Sequence, residues 1–178
     1  MSRFTNQTVV VTGAAGGIGS VLCDRFAQEG ARLVLADLNG EGLTEVAAQL
    51  EDRHGVKVVS AVGDLSTRQG AERVTELATS TFGRLDVLVN NAGGGIVRPT
   101  LRHTEETLRA TIDRNLWSAL RCTLTALPVM LDAGYGQSCS SEQTRCGTDS
   151  TITPYTTPPR AGYTRSREAS RASSARRA

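Results

Sequence analysis

Apolar and polar positions along the first three quarters of the chain follow two alternating spacings, and each spacing predicts one kind of element. Short runs rich in Val, Ile and Leu predict buried strands, whereas apolar positions three and four residues apart predict amphipathic helices. The predicted strands cover residues 7–13, 31–37, 57–64 and 85–91, and the predicted helices cover residues 17–29, 41–53, 66–81 and 104–130. Because these elements alternate and the strands are apolar on both faces, the pattern predicts an α/β fold with a doubly wound parallel sheet.

Local signals predict where the helices begin and which residues they bury. We expect Ser66 or Thr67 to cap the third helix and Thr104 to cap the fourth, since a hydroxyl side chain accepts hydrogen bonds from the free N–H groups of a first turn. Cys23 and Cys122 lie in apolar helical patterns and are predicted to be small core residues. In the first helix, four apolar residues are expected to share one face, namely Ile18, Val21, Leu22 and Phe26.

The whole chain has an ordinary composition, but its last 41 residues do not. Hydrophobic residues make up 39% of the chain and the formal net charge is +2. Residues 138–178 hold 7 basic and 3 acidic residues, and Ile152 is their only Val, Ile, Leu, Met, Phe or Trp. A segment so poor in large apolar side chains cannot offset the entropy cost of ordering by burial. We therefore expect an ordered domain over residues 1–137, incomplete at its C-terminal end, and a disordered Ser/Thr/Arg/Ala-rich tail over residues 138–178.

The N-terminal residues, the longest helix and the cysteines indicate where the protein is located and which partners it has. A strand is predicted within a few residues of the N-terminus, which leaves no room for a signal peptide, and the longest apolar helix is too short and too polar to span a bilayer. The four cysteines show no metal-ligand spacing, so no metal is expected. We therefore expect a cytoplasmic protein without a membrane partner. An Arg/Ser-rich tail can bind nucleic acid by charge, but no aromatic residue follows Tyr163 for base stacking, so a basic-tailed binder is kept only as an alternative.

A glycine-rich stretch, TGAAGGIG, joins the first predicted strand to the first helix. Gly13 allows a tight turn, Gly17 lets the backbone approach a pyrophosphate, and Gly19 lets the helix pack close to the strand. Ile18 lies between the last two glycines and is counted with the cofactor-binding residues. Glycine-rich loops also occur without a ligand. The order strand, turn, helix and strand around this one favours a Rossmann-like nucleotide site, in which free N–H groups at the helix N-terminus hold phosphate.

Asp37 ends the second predicted strand, 18 residues beyond Gly19. A carboxylate at this place can accept hydrogen bonds from the adenosine ribose hydroxyls and would repel a 2′-phosphate. Ala14 and Ala15 in the glycine turn offer no basic side chain that could hold such a phosphate. The sequence therefore favours NAD over NADP, the alternative being that Asp37 is a solvated acid at the end of a strand.

Taken together, these motifs resemble the short-chain dehydrogenase/reductase family. The motifs extend over residues 7–135 and comprise TGAAGGIG, Asp37, Asp64-Leu65 after the third strand, Asn90-Asn91-Ala92-Gly93 after the fourth strand, and Asn115 in the last helix. The resemblance implies a Rossmann-like sheet, a nicotinamide cofactor, and hydride transfer between that cofactor and a small alcohol or carbonyl compound. Members form homo-oligomers, and we expect the interface to be lost here together with the last elements of the fold.

The resemblance also assigns roles to particular residues. Asp64 and Leu65 would contact the adenine, and Asn115 would hold a water molecule in a proton relay. The cofactor cleft would be lined by Asn91, Ala92 and Gly93.

The catalytic group that the resemblance implies is incomplete in this chain. The family uses a serine, a tyrosine and a lysine four residues after the tyrosine, whose ammonium group lowers the pKa of the phenol. Ser141 and Tyr155 have about the family's separation, but Pro159 occupies the lysine position and no lysine follows Lys57. We therefore expect an impaired oxidoreductase, with a non-catalytic nucleotide-binding remnant as the alternative.

A slip of the reading frame near residue 137 would account for these defects together. When the last base of each codon is combined with the first two bases of the next, the junctions over residues 137–145 permit an apolar strand followed by Gly-Ala-Asp-Ser. The junctions that follow Tyr155 and Pro159 permit Tyr and Lys, which gives Y-x-x-x-K at the family's spacing. We therefore hypothesise that the chain beyond about residue 137 is encoded out of frame.

Overall fold

The computed structural model describes residues 2–141 and the backbone of residues 155–156. Its strands are β1 (Thr8–Thr12), β2 (Arg32–Asp37), β3 (Val58–Val62), β4 (Val87–Asn90), β5 (Gln137–Ser140) and β6 (Tyr155–Thr156). Its α-helices are α1 (Gly17–Gln28), α2 (Gly40–His54), α3 (Arg68–Phe82), α4 (Glu105–Ile112) and α5 (Ser118–Ala133). The first four strands and the first three helices begin and end within two residues of the bounds predicted from the spacing of apolar residues.

The strands form one sheet in the order β3-β2-β1-β4-β5-β6. The strands β1 to β5 are parallel, and β6 pairs antiparallel with β5 at the edge. The prediction of a doubly wound, Rossmann-like parallel sheet is therefore confirmed. The four-residue strand β4 lies between β1 and β5 and pairs with both. The residues that follow β1 and β4 therefore lie at the same edge of one sheet.

Alternate residues of the central strands face two separate cores. Val10 of β1 packs in a core with residues of α3 and α5, whereas Val9 and Val11 pack in a second core with residues of α1 and α2. All three valines are fully buried. Helices therefore cover both faces of the sheet, as near-continuous apolar strands require.

The buried face of α1 differs from the predicted one. Its fully buried residues are Gly19, Cys23 and Ala27, while Ile18 and Val21 remain 51% and 68% exposed. Small side chains face the sheet because they let the helix axis approach the strands more closely than large ones would. The prediction that Cys23 and Cys122 are core residues is confirmed, and burial raises the pKa of both thiols to about 12.

The helix predicted over residues 104–130 is divided. A π-helical turn over Asp113–Trp117 separates α4 from α5. The side-chain Nδ2 of Asn115 donates to the Thr111 carbonyl at 2.7 Å, and in a regular α-helix that carbonyl accepts the backbone N–H of Asn115. This side-chain hydrogen bond thus lies where the regular α-helical pattern is interrupted. The predicted caps are confirmed, since Thr104 and Thr67 accept backbone N–H groups at the starts of α4 and α3.

Strand β5 continues three residues beyond the domain border expected at residue 137. Its residues Gln-Ser-Cys-Ser are not an apolar run, but pairing with β4 uses backbone groups, which any residue other than proline supplies. The tail expected over residues 138–178 lies, apart from β5, Ser141 and the backbone of β6, outside the described residues. Within the described part of the chain, no helix is long and apolar enough to cross a membrane.

Candidate cofactor cleft

The sheet has a switch point between β1 and β4. From β1 the chain proceeds outward to β2 and β3, and it then returns to the other side of β1 to form β4 and β5. Ligands of doubly wound sheets bind in the crevice outside the carboxyl ends of the strands at such a point. Here that edge brings together the glycine turn after β1, Asp37 at the end of β2, and residues 90–93 at the end of β4 and just after it.

Thr12, at the end of β1, joins the two sides of this crevice. Its buried hydroxyl lies 3.2 Å from the Val89 carbonyl and 2.9 Å from the backbone nitrogens of both Asn91 and Ala92. The Asn91 side chain adds hydrogen bonds from Nδ2 to the carbonyls of Thr12 and Gly13. In the sequence, this connecting role is marked only by a hydroxyl residue at the end of an apolar strand. The spacing of the motif residues does not indicate it.

Replacing Thr12 by alanine is expected to lower the free energy of unfolding by about 2 kcal/mol, because the N–H groups of Asn91 and Ala92 lose their buried acceptor. The Thr12→Ser variant keeps the hydroxyl and should retain most of the stability. Urea unfolding of both variants measures the difference. Equal losses in the two variants would show that the threonine methyl group, and not the hydrogen bonds, is responsible.

The three motif glycines have different surroundings. Gly13 has a positive φ of 66°, and a Cβ there would lie 2.9 Å from the Ala92 Cα. A Cβ on Gly19 would lie 2.0 Å from the Gly13 carbonyl oxygen, whereas a Cβ on Gly17 would meet no atom within 4 Å. Gly13 and Gly19 therefore serve close packing within the protein, and Gly17 borders open space at the crevice.

The N-terminus of α1 is prepared for an anion. Gly16 occupies the N-cap without any side-chain hydrogen bond, and the first turn contains no acidic residue. The first N–H groups of a helix have no partner within the helix and carry partial positive charge. Ile18, in this first turn, has half of its surface exposed. A phosphate group placed beside Gly17 would satisfy these donors.

Asp37 faces the glycine turn. Its Oδ2 accepts the backbone N–H of Ala15 at 3.0 Å, and its Oδ1 accepts the backbone N–H of Asn39 at 3.0 Å. Asn39 in turn caps α2 by accepting the N–H of Gly42. The carboxylate is thus fixed at the start of α2, beside the turn, and each of its oxygens has acceptor capacity left.

Asp64 and Leu65, after β3, are placed differently from each other. The Asp64 carboxylate accepts the N–H of Ser66 at 2.9 Å on the surface. The Leu65 side chain is only 6% exposed and packs in the core with α3 and α5. A contact of Leu65 with a ligand would therefore have to use its backbone, which the sequence motif does not indicate.

Asn115 fixes the loop that follows β4. Its Oδ1 accepts the N–H of Gly94 and its Nδ2 donates to the Gly94 carbonyl, both at 3.1 Å. A Cβ on Gly93 would lie 2.7 Å from the same Oδ1. The structure thus brings together the predicted residues Asn115, Gly93, Ala92 and Asn91 at one wall of the crevice.

The remaining catalytic candidates are only partly described. Ser141 follows β5, and its Oγ lies 3.1 Å from Asn91 Oδ1, at the carboxyl edge of the sheet. The backbone of Tyr155, in β6, pairs with that of Ser138, in β5. The Tyr155 side chain and Pro159 lie outside the described residues. In the described part of the chain, no three His, Cys, Asp or Glu residues are grouped as metal ligands.

A parallel sheet with a glycine turn, an uncapped helix N-terminus and a carboxylate after β2 defines the class of nucleotide-binding α/β domains. The family model described as short chain dehydrogenase matches residues 7–151. The chain therefore belongs to the short-chain dehydrogenase family.

Two curated relatives illustrate the similarity in sequence. The 2,3-dihydroxy-2,3-dihydro-p-cumate dehydrogenase of Pseudomonas putida is 45% identical over 131 residues, which are 74% of this chain and 51% of that protein. The 1,6-dihydroxycyclohexa-2,4-diene-1-carboxylate dehydrogenase of Acinetobacter baylyi is 41% identical over 130 residues, which are 72% of this chain and 49% of that protein. The chain thus spans about half the length of the curated relatives it matches.

Solved structures share the fold. NAD+-bound xylitol dehydrogenase superposes with a TM-score of 0.74 at 27% identity, covering 78% of this chain and 53% of that one. The L-sorbose reductase of Gluconobacter frateurii, complexed with NADPH and L-sorbose, superposes with a TM-score of 0.72 at 32% identity, covering 76% of this chain and 52% of that one. Similar chains with either nicotinamide cofactor are therefore known.

Proposed function

We propose that this chain is the cofactor-binding part of an NAD-dependent oxidoreductase that transfers hydride between the nicotinamide and a small alcohol or carbonyl compound. The observation that supports it most directly is the position of Asp37, held by hydrogen bonds beside the glycine turn and the N-terminus of α1. These residues fit a dinucleotide, because open space beside Gly17 adjoins both an anion-binding helix end and a carboxylate.

Each residue in the crevice has a distinct proposed task. The N–H groups at the start of α1 would bind the pyrophosphate, Asp37 would accept the ribose hydroxyls, and Asp64 with the Leu65 backbone would contact the adenine. The opposite wall would support the nicotinamide half of the cofactor, and it is formed by Asn91, Ala92 and Gly93. When bound, the nicotinamide supplies the site that accepts or donates hydride.

Preference for NAD over NADP rests on charge. The Asp37 carboxylate would repel a 2′-phosphate, and no basic residue occurs in the glycine turn or in residues 38–42. Replacing Asp37 by asparagine is expected to weaken NAD+ binding about tenfold, since charge-assisted hydrogen bonds to the ribose become neutral ones, and to strengthen NADP+ binding. Calorimetric titration of both cofactors measures the change.

Asp52→Asn provides the matched control for that substitution, because Asp52 is an exposed acid on α2. It should leave both affinities unchanged. If Asp37→Asn binds both cofactors as the unmodified chain does, Asp37 does not contact the ribose and the proposal fails. Absence of NAD+ binding by the unmodified chain would have the same consequence.

The names of the two relatives suggest a substrate class, and the residues at the catalytic positions bear on the chemical step. The two relatives are named for ring diols that carry a carboxylate, which supports a cyclic alcohol as substrate. Hydride transfer needs a group that exchanges the hydroxyl proton, and Ser141 and Tyr155 with the Asn115 relay are the proposed members. Pro159 has no ammonium group to lower the tyrosine pKa, so we infer little turnover and retain a non-catalytic nucleotide-binding remnant as the second candidate.

We further propose that the missing lysine reflects a slip of the reading frame near residue 137. The last elements of the fold and the oligomer interface would then be lost as well. Exposed apolar side chains on α4 and α5 support an uncovered surface there, including Leu108, Ile112, Leu124 and Leu131. Separately from the reading frame, we propose that the protein is located in the cytoplasm.

A further inference from the structure

The loop over residues 94–103, between β4 and α4, is fixed at both ends and exposed between them. At its start, Gly94 is held on its N–H and its carbonyl by Asn115. At its end, His103 Nδ1 lies 3.3 Å from Thr107 Oγ1 in the capped first turn of α4. Between these anchors Ile96 is half-buried, and the other residues are exposed. The loop is therefore a surface segment with a fixed position on the sheet.

This loop lies on the side of the switch point opposite to Asp37. Asp37 follows β2 and the loop follows β4, with β1 and its glycine turn between them. A dinucleotide with its adenosine at Asp37 and its pyrophosphate at α1 must extend its other half toward β4. The loop after β4 therefore borders the reacting end of the crevice.

The loop carries two arginines and no acidic residue. Arg98 and Arg102 are both exposed, and within the described residues neither side chain has an ion pair or a hydrogen bond. Of the two nearest acids along the chain, Glu105 is paired with Arg109 and Glu106 is exposed without an ion pair to either arginine; residues 87–104 contain no Asp or Glu. Among the described residues neither guanidinium group is therefore engaged, and guanidinium matches the geometry of a carboxylate.

Apolar side chains alternate with these cations. Val97 is 78% exposed and Leu101 is 99% exposed, each next to one of the two arginines in sequence. Exposed large apolar side chains gain free energy when they cover an apolar ligand surface. The loop therefore offers an apolar contact and a cationic contact within six residues, which suits a small hydrocarbon ring that bears one anionic group.

We propose that residues 97–102 recognise the carboxylate of an alicyclic substrate, with Arg98 and Arg102 as the specificity-determining residues. The inference rests on the proposed function, since it assumes that the nicotinamide half of the cofactor extends toward this loop. It names the substrate class as cyclic alcohols or ketones with a ring carboxylate. The apolar ring packs on Val97 and Leu101, and the carboxylate pairs with guanidinium.

The test compares two probes of equal shape, cyclohexanecarboxylate and its neutral amide, cyclohexanecarboxamide. Each is titrated against the full chain with saturating NAD+, and the dissociation constant is followed by NMR of the probe. The carboxylate is expected to bind at least about fivefold more tightly than the amide, as a charge-assisted pair implies. In the double variant Arg98→Gln with Arg102→Gln, this difference should vanish while amide binding stays unchanged.

Arg73→Gln is the control, because Arg73 is an exposed arginine on α3, remote in sequence from the loop. It should keep the full preference for the carboxylate. Equal binding of the two probes by the unmodified chain, or an undiminished preference in the double variant, would overturn the inference. If the double variant loses binding to anionic vesicles or oligonucleotides but not to the carboxylate probe, the loop serves another partner and the inference also fails.

NAD+ titration of the same samples separates the two levels of the proposal. A chain that binds NAD+ but shows no preference for the carboxylate contradicts only the assignment of the loop. A chain that does not bind NAD+ contradicts the proposed function, and the assignment falls with it.

Discussion

The Gly19→Ala variant is expected to lose at least about 3 kcal/mol of unfolding free energy, or to fail to fold. The added Cβ would lie 2.0 Å from the Gly13 carbonyl oxygen, 2.8 Å from the Gly13 carbonyl carbon and 2.9 Å from the Ala14 Cα. All three are backbone atoms, so no side-chain rotation can relieve the contact. Overpacking against such atoms costs more than the usual 1–3 kcal/mol of a core insertion, hence the figure of at least about 3 kcal/mol.

The glycine turn cannot move aside, because other contacts hold it. Gly13 already packs against the Ala92 backbone, and the Ala14 N–H donates to the Ala36 carbonyl at 3.2 Å. A shift of the turn away from α1 would press it into β4 or break its bond to β2. The alternative, an outward shift of α1, would expose Cys23 and Ala27, which are buried against the sheet.

The Gly17→Ala variant is the matched control. It adds the same methyl group two residues earlier, at a position where no atom lies within 4 Å. Alanine is favoured over glycine in a helix by up to about 1 kcal/mol, so the stability should be unchanged or slightly higher. If the pyrophosphate lies beside Gly17 as proposed, NAD+ affinity should nevertheless fall, by about tenfold or more.

Urea unfolding and NAD+ titration of the two variants therefore distinguish a packing glycine from a ligand glycine. Equal stability of both variants would show that the contact at Gly19 is easily relieved, which contradicts the packing account. Unchanged NAD+ affinity in Gly17→Ala would show that the pyrophosphate does not bind beside Gly17. It would not contradict the explanation that Gly19 is required for close packing.

Much of the fold follows from the spacing of apolar residues, because buried strands and helices must present apolar groups at fixed intervals. The parallel order and the two covered faces agree with it, and the caps at Thr67 and Thr104 agree with the hydroxyl side chains that precede two of the helices. The face of α1 does not, since hydrophobicity favours Ile18 and Val21 while close packing favours Gly19 and Cys23. A pattern of apolar residues reveals which residues can be buried, but it does not reveal how near two backbones approach.

The candidate site shows a similar limit. Motif spacing identifies Asp37 and the glycine turn, because their sequence separation reflects one strand–helix–strand unit. The stretch TGAAGGIG begins with Thr12 but does not indicate its role, because its three hydrogen-bond partners lie 77 to 80 residues away in sequence. The spacing of apolar residues does not predict β5 either, because Cys139 is the only apolar residue among its four, and its pairing with β4 uses backbone groups.

Restoring the alternative reading frame beyond residue 137 is expected to give an enzyme whose kcat/KM exceeds that of the present chain by about a thousandfold or more. A single inserted nucleotide near codon 137 joins the last base of each codon to the first two of the next, and so permits an apolar strand, a serine and Y-x-x-x-K. The lysine would lower the phenol pKa and supply general acid–base catalysis, which contributes about 10²–10⁴-fold, beside the gain from a completed pocket.

NADH formation with a panel of cyclic alcohols and diols measures this difference. Sequencing of the coding DNA across codons 130–165 comes first, because the Lys codon at the junction after Pro159 requires Arg160 to be encoded by AGA or AGG. Both chains share residues 1–137 and hence the residues proposed to bind the cofactor, so equal NAD+ affinity is the control that assigns any difference to the residues after 137.

The Pro159→Lys variant of the present chain distinguishes a slip of the reading frame from a genuine frame that lacks the lysine. It restores a lysine four residues after Tyr155 but not the apolar elements around the pair, so under the frame-slip hypothesis it should stay inactive. The catalytic lysine must lie within reach of the tyrosine, and the tyrosine is positioned by a folded strand and helix. A point substitution restores neither element. Activity rescued by Pro159→Lys alone, or no activity gained by the shifted frame, would contradict the hypothesis that the reading frame slips.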